Sequence, residues 1–227
     1  MKQPKYSIGI DISSERFTVC GSIKPGTSIQ DPEDYDNDLN GFKQLAAWFK
    51  SLNMEASDMI ICMEATGVYG ELLCHYLYDH GYRVAVDPPL KVKRAFQVTG
   101  HKTDAVDSLQ IAEYAIRFYD SLNIWEPRET IVERIKTTLK TRELLVRHRT
   151  AQKNAKTALN RKKVSLKSTI AVLEREIESL TKSIKALEKD MSNSISSHPQ
   201  MRQIVDILKT IPGVQELLAS NLLVLTN

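Results

Sequence analysis

The run Thr103-Asp104-Ala105-Val106-Asp107 sets two carboxylates three residues apart behind a residue that caps helices. Thr103 is a good N-cap, so a helix is expected to begin at Asp104, with Asp104 and Asp107 on one face of its first turn. Taken alone, the pair is explained by acids complementing the positive end of the helix dipole. The chemistry also open to it is binding of a divalent cation, which takes hard carboxylate oxygens. Such a site needs further acids from elsewhere. Asp11 lies mid-strand, on the face opposite Ile8, Ile10 and Ile12, where a carboxylate is costly unless a cation or hydrogen bonds satisfy it. Glu64 sits in the same way at the end of the apolar run Met59-Ile60-Ile61-Cys62-Met63. Two strand acids and two helix acids converging in a small volume would hold two Mg²⁺ (or Mn²⁺) ions about 4 Å apart, the arrangement that clamps both oxygens of a phosphodiester exchange. Other acids fit less well. Asp87 precedes Pro88 and Pro89 and is expected to shape a turn. Asp31, Glu33, Asp34, Asp36 and Asp38 fall in a stretch expected to be a solvated loop, without the Gly and terminal Glu of a calcium loop.

The elements that must position these acids follow from periodicity. Tyr6 to Ser13 alternates as a strand, and Phe17 to Ile23 returns as a second after the turn Ser14-Glu15-Arg16. Residues 24–40 are loop with room for one short strand. Asn40 is expected to cap a helix reaching Leu52, with Phe42, Leu45, Ala46 and Phe49 inward. Residues 58–66 form a strand apolar on both faces, hence central. A helix over 70–80, stopped by Gly81, a strand over 82–86, a short basic helix over 90–98 and the helix from Asp104 to Tyr119 complete the domain. A hairpin followed by βαβ units is the outline of an RNase H-like α/β fold, a mixed sheet with flanking helices. Residues 121–127 read as a linker.

The net charge of +3 conceals an asymmetry: residues 1–127 carry 12 Lys and Arg against 18 Asp and Glu, residues 128–163 carry 12 against 3, and residues 164–227 carry 7 of each. An acidic front followed by a basic band suggests a metal-using domain and a polyanion-binding element. From Glu129 to His198 there is neither Gly nor Pro. Within this stretch Leu166, Ile170, Leu173, Ile177, Leu180, Ile184, Leu187 and Met191 follow a 4-3 spacing, a heptad seam. A helical hairpin is expected, its basic arm over 129–160 turning near Asn160 to Lys163, although the same seam could join two chains. Arg142, Arg147, Arg149, Lys153, Lys156, Arg161, Lys162 and Lys163, with Lys102 ahead of the Thr103 cap, are the candidate contacts to nucleic-acid phosphates. Ile211-Pro212-Gly213-Val214 between two short helices is like one helix-hairpin-helix unit. The expected domains are therefore 1–122, 128–198 and 199–227.

Gly9-Ile10-Asp11-Ile12-Ser13, Met63-Glu64-Ala65-Thr66-Gly67 and Lys102-Thr103-Asp104-Ala105-Val106-Asp107 resemble the N-terminal domain of the DEDD transposases of bacterial insertion sequences, whose fold is like the RuvC resolvase and which act as recombinases guided by a bridge RNA. The resemblance implies a catalytic and metal-binding tetrad of Asp11, Glu64, Asp104 and Asp107, with DNA and a structured guide RNA as partners. It also implies a nucleophilic serine in a C-terminal domain, beyond Asn227. Ser13 and Ser14 near Asp11 are expected only to make local hydrogen bonds, so the chain reads as cut short before the nucleophile and inactive alone. The competing readings are a resolvase-like or RNase H-like nuclease using a metal-activated water, and a non-catalytic nucleic-acid-binding protein that oligomerises through its heptads. An actin-like kinase also opens on Gly-Ile-Asp but needs a duplicated domain, and no repeat is visible. The polar N-terminus, the lack of a membrane-length apolar run, and Cys20, Cys62 and Cys74 without metal-ligand spacing point to a cytoplasmic protein with reduced thiols, nucleoid-associated when bound to DNA.

Overall fold

The computed structural model describes residues 3–65, 67–96, 103–164 and 166–226. The chain divides into two units at Pro127–Arg128. In the first, Ile8, Ile10 and Ile12 alternate with Ser7, Gly9 and Asp11 along β1 (Tyr6–Ile12). β2 (Arg16–Lys24) returns antiparallel, Asp11 opposite Thr18 and Ile12 opposite Phe17. The outer edge of β2 takes two short antiparallel strands, β3 (Thr27–Ser28) and β4 (Glu33–Asp36). The acidic cluster is solvent-exposed, as expected, but it is not all loop: Glu33, Asp34 and Asp36 belong to the sheet. α1 (Leu39–Ser51) is capped by Asp38 rather than Asn40, its carboxylate accepting from the Gly41 N–H at 2.8 Å. Both residue types cap well, and the helix starts before Asn40.

β5 (Met59–Glu64) pairs parallel with β1, and α2 (Glu71–Asp79) crosses over to β6 (Val84–Asp87), parallel to β5. The strand order β3-β2-β1-β5-β6, antiparallel on one side and parallel on the other, is that of the RNase H-like fold. α3 (Pro89–Arg94) and α4 (Asp104–Arg117) follow. One face of the sheet packs Ile8, Ile10, Phe17, Val19, Ile61 and Met63 against α1 and α2. The other packs Ile60, Cys62 and Ala85 against Ile111, Tyr114 and Ala115 of α4. Each fully buried aliphatic side chain contributes about 1.5–3 kcal/mol, and a one-residue slip of β1 would turn its isoleucines to the Asp11 face. The hydrophobic pattern thus fixes where Asp11 and Glu64 point. Residues 121–127 are not a bare linker. Asn123 accepts from the Val86 N–H, the Trp125 N–H donates to Val84, and Ile124 bridges Ala85.

Cys20, Cys62 and Cys74 are all buried and unbridged. Burial pushes Cys20 up to about 11 and Cys74 up to about 12, and pushes Cys62 up as well. All three are expected to resist a thiol reagent at pH 8 in the folded protein and to react together on denaturation. Fast labelling of any one under native conditions would contradict this packing.

In the second unit, α5 (Thr130–Leu159) and α6 (Lys167–Ser196) form an antiparallel hairpin. Ion pairs set its register: Arg142 to Glu188 at 2.6 Å, Arg134 to Asp190 at 3.1 Å and Lys156 to Glu174 at 2.6 Å. α7 (Pro199–Lys209) and α8 (Glu216–Thr226) turn through Gly213, whose φ of 86° suits glycine. Met201, Val205, Ala219 and Leu223 share one core with Ile131, Ile135, Met191 and Ile195. The helices after Pro199 therefore close the base of the hairpin. No described helix is long and apolar enough to cross a membrane.

Candidate active site

The site is built on the smallest residues of β1. Ser7 is buried and donates its hydroxyl to the Ala112 carbonyl at 2.8 Å. At Gly9 the backbone of α4 lies so close that an added Cβ would stand 2.0 Å from the Ser108 oxygen and 2.3 Å from the Ala112 nitrogen. Two residues further along the same face comes Asp11, and one turn back along α4 from Ser108 comes Asp104. α4 therefore runs antiparallel to β1 and brings its N-terminus to Asp11. The Thr103 hydroxyl caps that end, accepting from the Val106 N–H at 3.2 Å, as the sequence predicts. Asp104 and Asp107 lie in the first turn of α4, where acids complement the positive end of the helix dipole.

Asp11 and Asp104 line one hollow of about 110 Å³, together with Ile12, Ser13, Arg16, Thr18 and Asp34. Across the sheet the polar residues on the α4 face stand in one transverse row. Asp34 pairs with Thr18, and Thr18 with Asp11. Glu64 lies on β5 one step past the Ile10–Met63 pair and opposite Asp87 on β6. Asp107 shares a helical stripe with Ile111 and Tyr114, the side chains that pack over β5 and β6. Asp11, Glu64 and Asp107 are partly buried, and Asp104 is exposed. The fold thus gathers the four predicted acids at one end of one face. Among the described residues no group of three His, Cys, Asp or Glu side chains is disposed to hold an ion, so they are neighbours rather than a closed cage. Lys102 lies outside the described residues.

Two acids set aside in the sequence belong to this row. Asp34 accepts the Thr18 hydroxyl at 2.6 Å. Asp87 is fully buried and does more than shape a turn. Its carboxylate accepts from Lys91 at 3.0 Å, from the Tyr114 hydroxyl at 3.0 Å and from Asn123 at 2.5 Å. Polar β4 has no apolar alternation to reveal it, and the partners of Asp87 come from separate elements, so neither role shows in local sequence.

In the second unit the predicted cations divide. Arg142 and Lys156 face α6 through their ion pairs, and Arg147 pairs with Glu143 on its own helix. Lys153, Arg161, Lys162 and Lys163 are exposed, and Arg149 is partly buried.

A family model for transposases of the DEDD type, IS110 group, matches residues 8–162. The chain belongs to the DEDD transposase family. The match runs from β1 through α5, so it contains all four acids. Two curated relatives of this DEDD transposase chain, the pilin gene-inverting proteins of Moraxella bovis and Moraxella lacunata, are each 28% identical over 154 residues, covering 65% of this chain and 46% of theirs. The chain thus spans about half the length of the curated relatives it matches. Two structures of Thermus thermophilus RuvC, one in complex with a Holliday junction substrate, align with TM-scores of 0.40 and 0.38 at 10% identity, covering 53% of this chain and 99% of theirs.

Proposed function

We propose that this chain supplies the metal-binding half of a DNA recombinase active site, with Asp11, Glu64, Asp104 and Asp107 as the ligands of Mg²⁺ or Mn²⁺. The observation that carries this reading is the hollow shared by Asp11 and Asp104, with Glu64 one strand over. The donors are hard oxygens, which suit these ions. When bound, the metal would polarise the scissile phosphate and stabilise charge on the attacking and leaving oxygens. Asp11, Glu64, Asp104 and Asp107 would hold the ion, with α4 bringing its two first-turn acids toward Asp11.

The reading takes the attacking hydroxyl from a serine outside this chain and the choice of DNA from a structured guide RNA. Nucleic-acid backbone is held by Arg149 and Lys153 of α5 and by Arg161, Lys162 and Lys163 at the hairpin turn. Ile170, Leu173, Ile177 and Leu180 of α6 are only half-buried, which supports association of copies through this seam. The protein works in the cytoplasm.

Calorimetry with Mn²⁺ tests the site. Wild type is expected to bind, and Asp11→Asn/Asp104→Asn to bind at least about tenfold more weakly. Equal binding overturns the ligand assignment. Replacing Arg149 or Lys153 with alanine is expected to lower the salt slope of DNA affinity by about one each. Cleavage of branched DNA by the chain alone would instead favour a nuclease with a metal-activated water.

A further inference from the structure

Arg16 is the single cation among the described residues that line the hollow of Asp11, Asp34 and Asp104. It stands where the β1–β2 turn enters β2, and its backbone is fixed. The Ser13 N–H and hydroxyl both donate to the Arg16 carbonyl, at 2.9 and 2.8 Å, and the Arg16 N–H donates to the Ser13 hydroxyl at 3.3 Å. Its side chain shares the face of Thr18 and Asp11 and is 61% exposed. The guanidinium lies 3.9 Å from Asp34 and 3.9 Å from Asp36, beyond hydrogen-bond length, and exposed ion pairs of that kind hold weakly. The base of this arginine is rigid, and its head is parked between two acids that do not grip it.

We propose that Arg16 is the phosphate-binding residue of the site, taking the non-bridging oxygens of the nucleic-acid phosphodiester brought to the carboxylates. The proposal rests on the metal-site reading above. A hollow lined by three acids repels a phosphate. A bound metal ion would offset that charge, and the guanidinium of Arg16 would add two parallel donors matched to a phosphate. Asp34 and Asp36 flank the head at 3.9 Å without a hydrogen bond to it, and Thr18 keeps Asp34 in place by its hydrogen bond. The contact is to backbone, so Arg16 contributes affinity and orientation rather than sequence choice.

The test is fluorescence anisotropy of a labelled mixed-sequence DNA duplex with the whole chain, in Mg²⁺ and in EDTA, alongside calorimetry of Mg²⁺ alone. Arg16→Ala and the length-matched Arg16→Gln are expected to weaken DNA binding in Mg²⁺ by about fivefold or more and to lower the salt slope by about one. Arg16→Lys restores the slope without restoring full affinity. In EDTA the variants bind like wild type, and Mg²⁺ binding and thermal midpoint stay at wild-type values. Wild-type DNA affinity for both Arg16→Ala and Arg16→Gln in Mg²⁺ overturns the proposal while the metal site stands. Weaker Mg²⁺ binding by these variants also overturns it, since Arg16 would then be shaping the acids. A wild-type chain that binds no Mg²⁺ removes the metal-site reading, and the role of Arg16 with it.

Discussion

Gly9→Ala is expected to lift α4 from the sheet and to take the candidate site with it. The added methyl would overlap the Ser108 oxygen and the Ala112 nitrogen. Both are backbone atoms of a packed helix, and neither can rotate away. Relief requires α4 to move, and Asp104 and Asp107 move with it. Overpacking of this kind costs about 3 kcal/mol, which lowers the midpoint of a domain of this size by roughly 10 °C. Gly21→Ala is the internal comparison. Its Cβ would meet the end of the Ile29 side chain at 2.7 Å, which can turn aside, so a loss of under about 1 kcal/mol is expected. Thermal melts order the two variants, and Mn²⁺ calorimetry on folded Gly9→Ala shows whether the helix acids still reach Asp11. A Gly9→Ala protein with the melting and ion binding of wild type would mean that α4 does not depend on this close approach.

The same position shows how far the sequence carries. The alternation of Ile8, Ile10 and Ile12 places Asp11 on the opposite face, and the Thr103 cap places Asp104 and Asp107 together. These are local facts of period two and period 3.6, and local sequence states them. That Gly9 is the contact allowing the two groups to meet is a fact of tertiary packing, and a Gly within a strand pattern only hints at it. Asp34 illustrates a different limit. Glu33-Asp34-Tyr35-Asp36 lacks the apolar alternation by which strands are recognised, and only the edge of β2 makes it one. The hairpin divides in the same way. The 4-3 spacing announces α6, but which cations of α5 turn inward depends on a register that shows itself only in pairs such as Arg142 with Glu188. Composition alone therefore overcounts the cations that face solvent.

Asp87 carries the second large effect, because it is the one acid of the row that the fold has fully enclosed. Its partners tie α3 (Lys91), α4 (Tyr114) and the segment after α4 (Asn123) to the end of β6. Asp87→Ala leaves the Tyr114 hydroxyl and the Asn123 amide without their acceptor, and Lys91 keeps the Ser121 carbonyl at 2.8 Å and its contact with Tyr114. Breaking a buried network from its charged centre costs about 3–4 kcal/mol. Asp87→Asn keeps one acceptor oxygen and can donate to Tyr114, so about 1–2 kcal/mol is expected; Tyr114→Phe removes one bond and costs about 1 kcal/mol. The order Ala, Asn, Phe in denaturant melts separates a charged hub from simple volume filling, which would make Asp87→Asn neutral. The network also has a pH signature. Burial works to lower the pKa of Lys91, but hydrogen bonds to Asp87 and Tyr114 outweigh it and hold Lys91 above an ordinary lysine. A raised folded-state pKa means stability that is complete below the unfolded-state value and lost as pH climbs through the folded one. Wild type is therefore expected to lose stability on the alkaline side, and Asp87→Ala to lose less over the same range, having lost the partner that holds the proton. Because Tyr114 lies on the stripe of α4 that carries Asp107, weakened Mn²⁺ binding in folded Asp87→Asn would extend the influence of this buried acid to the site itself.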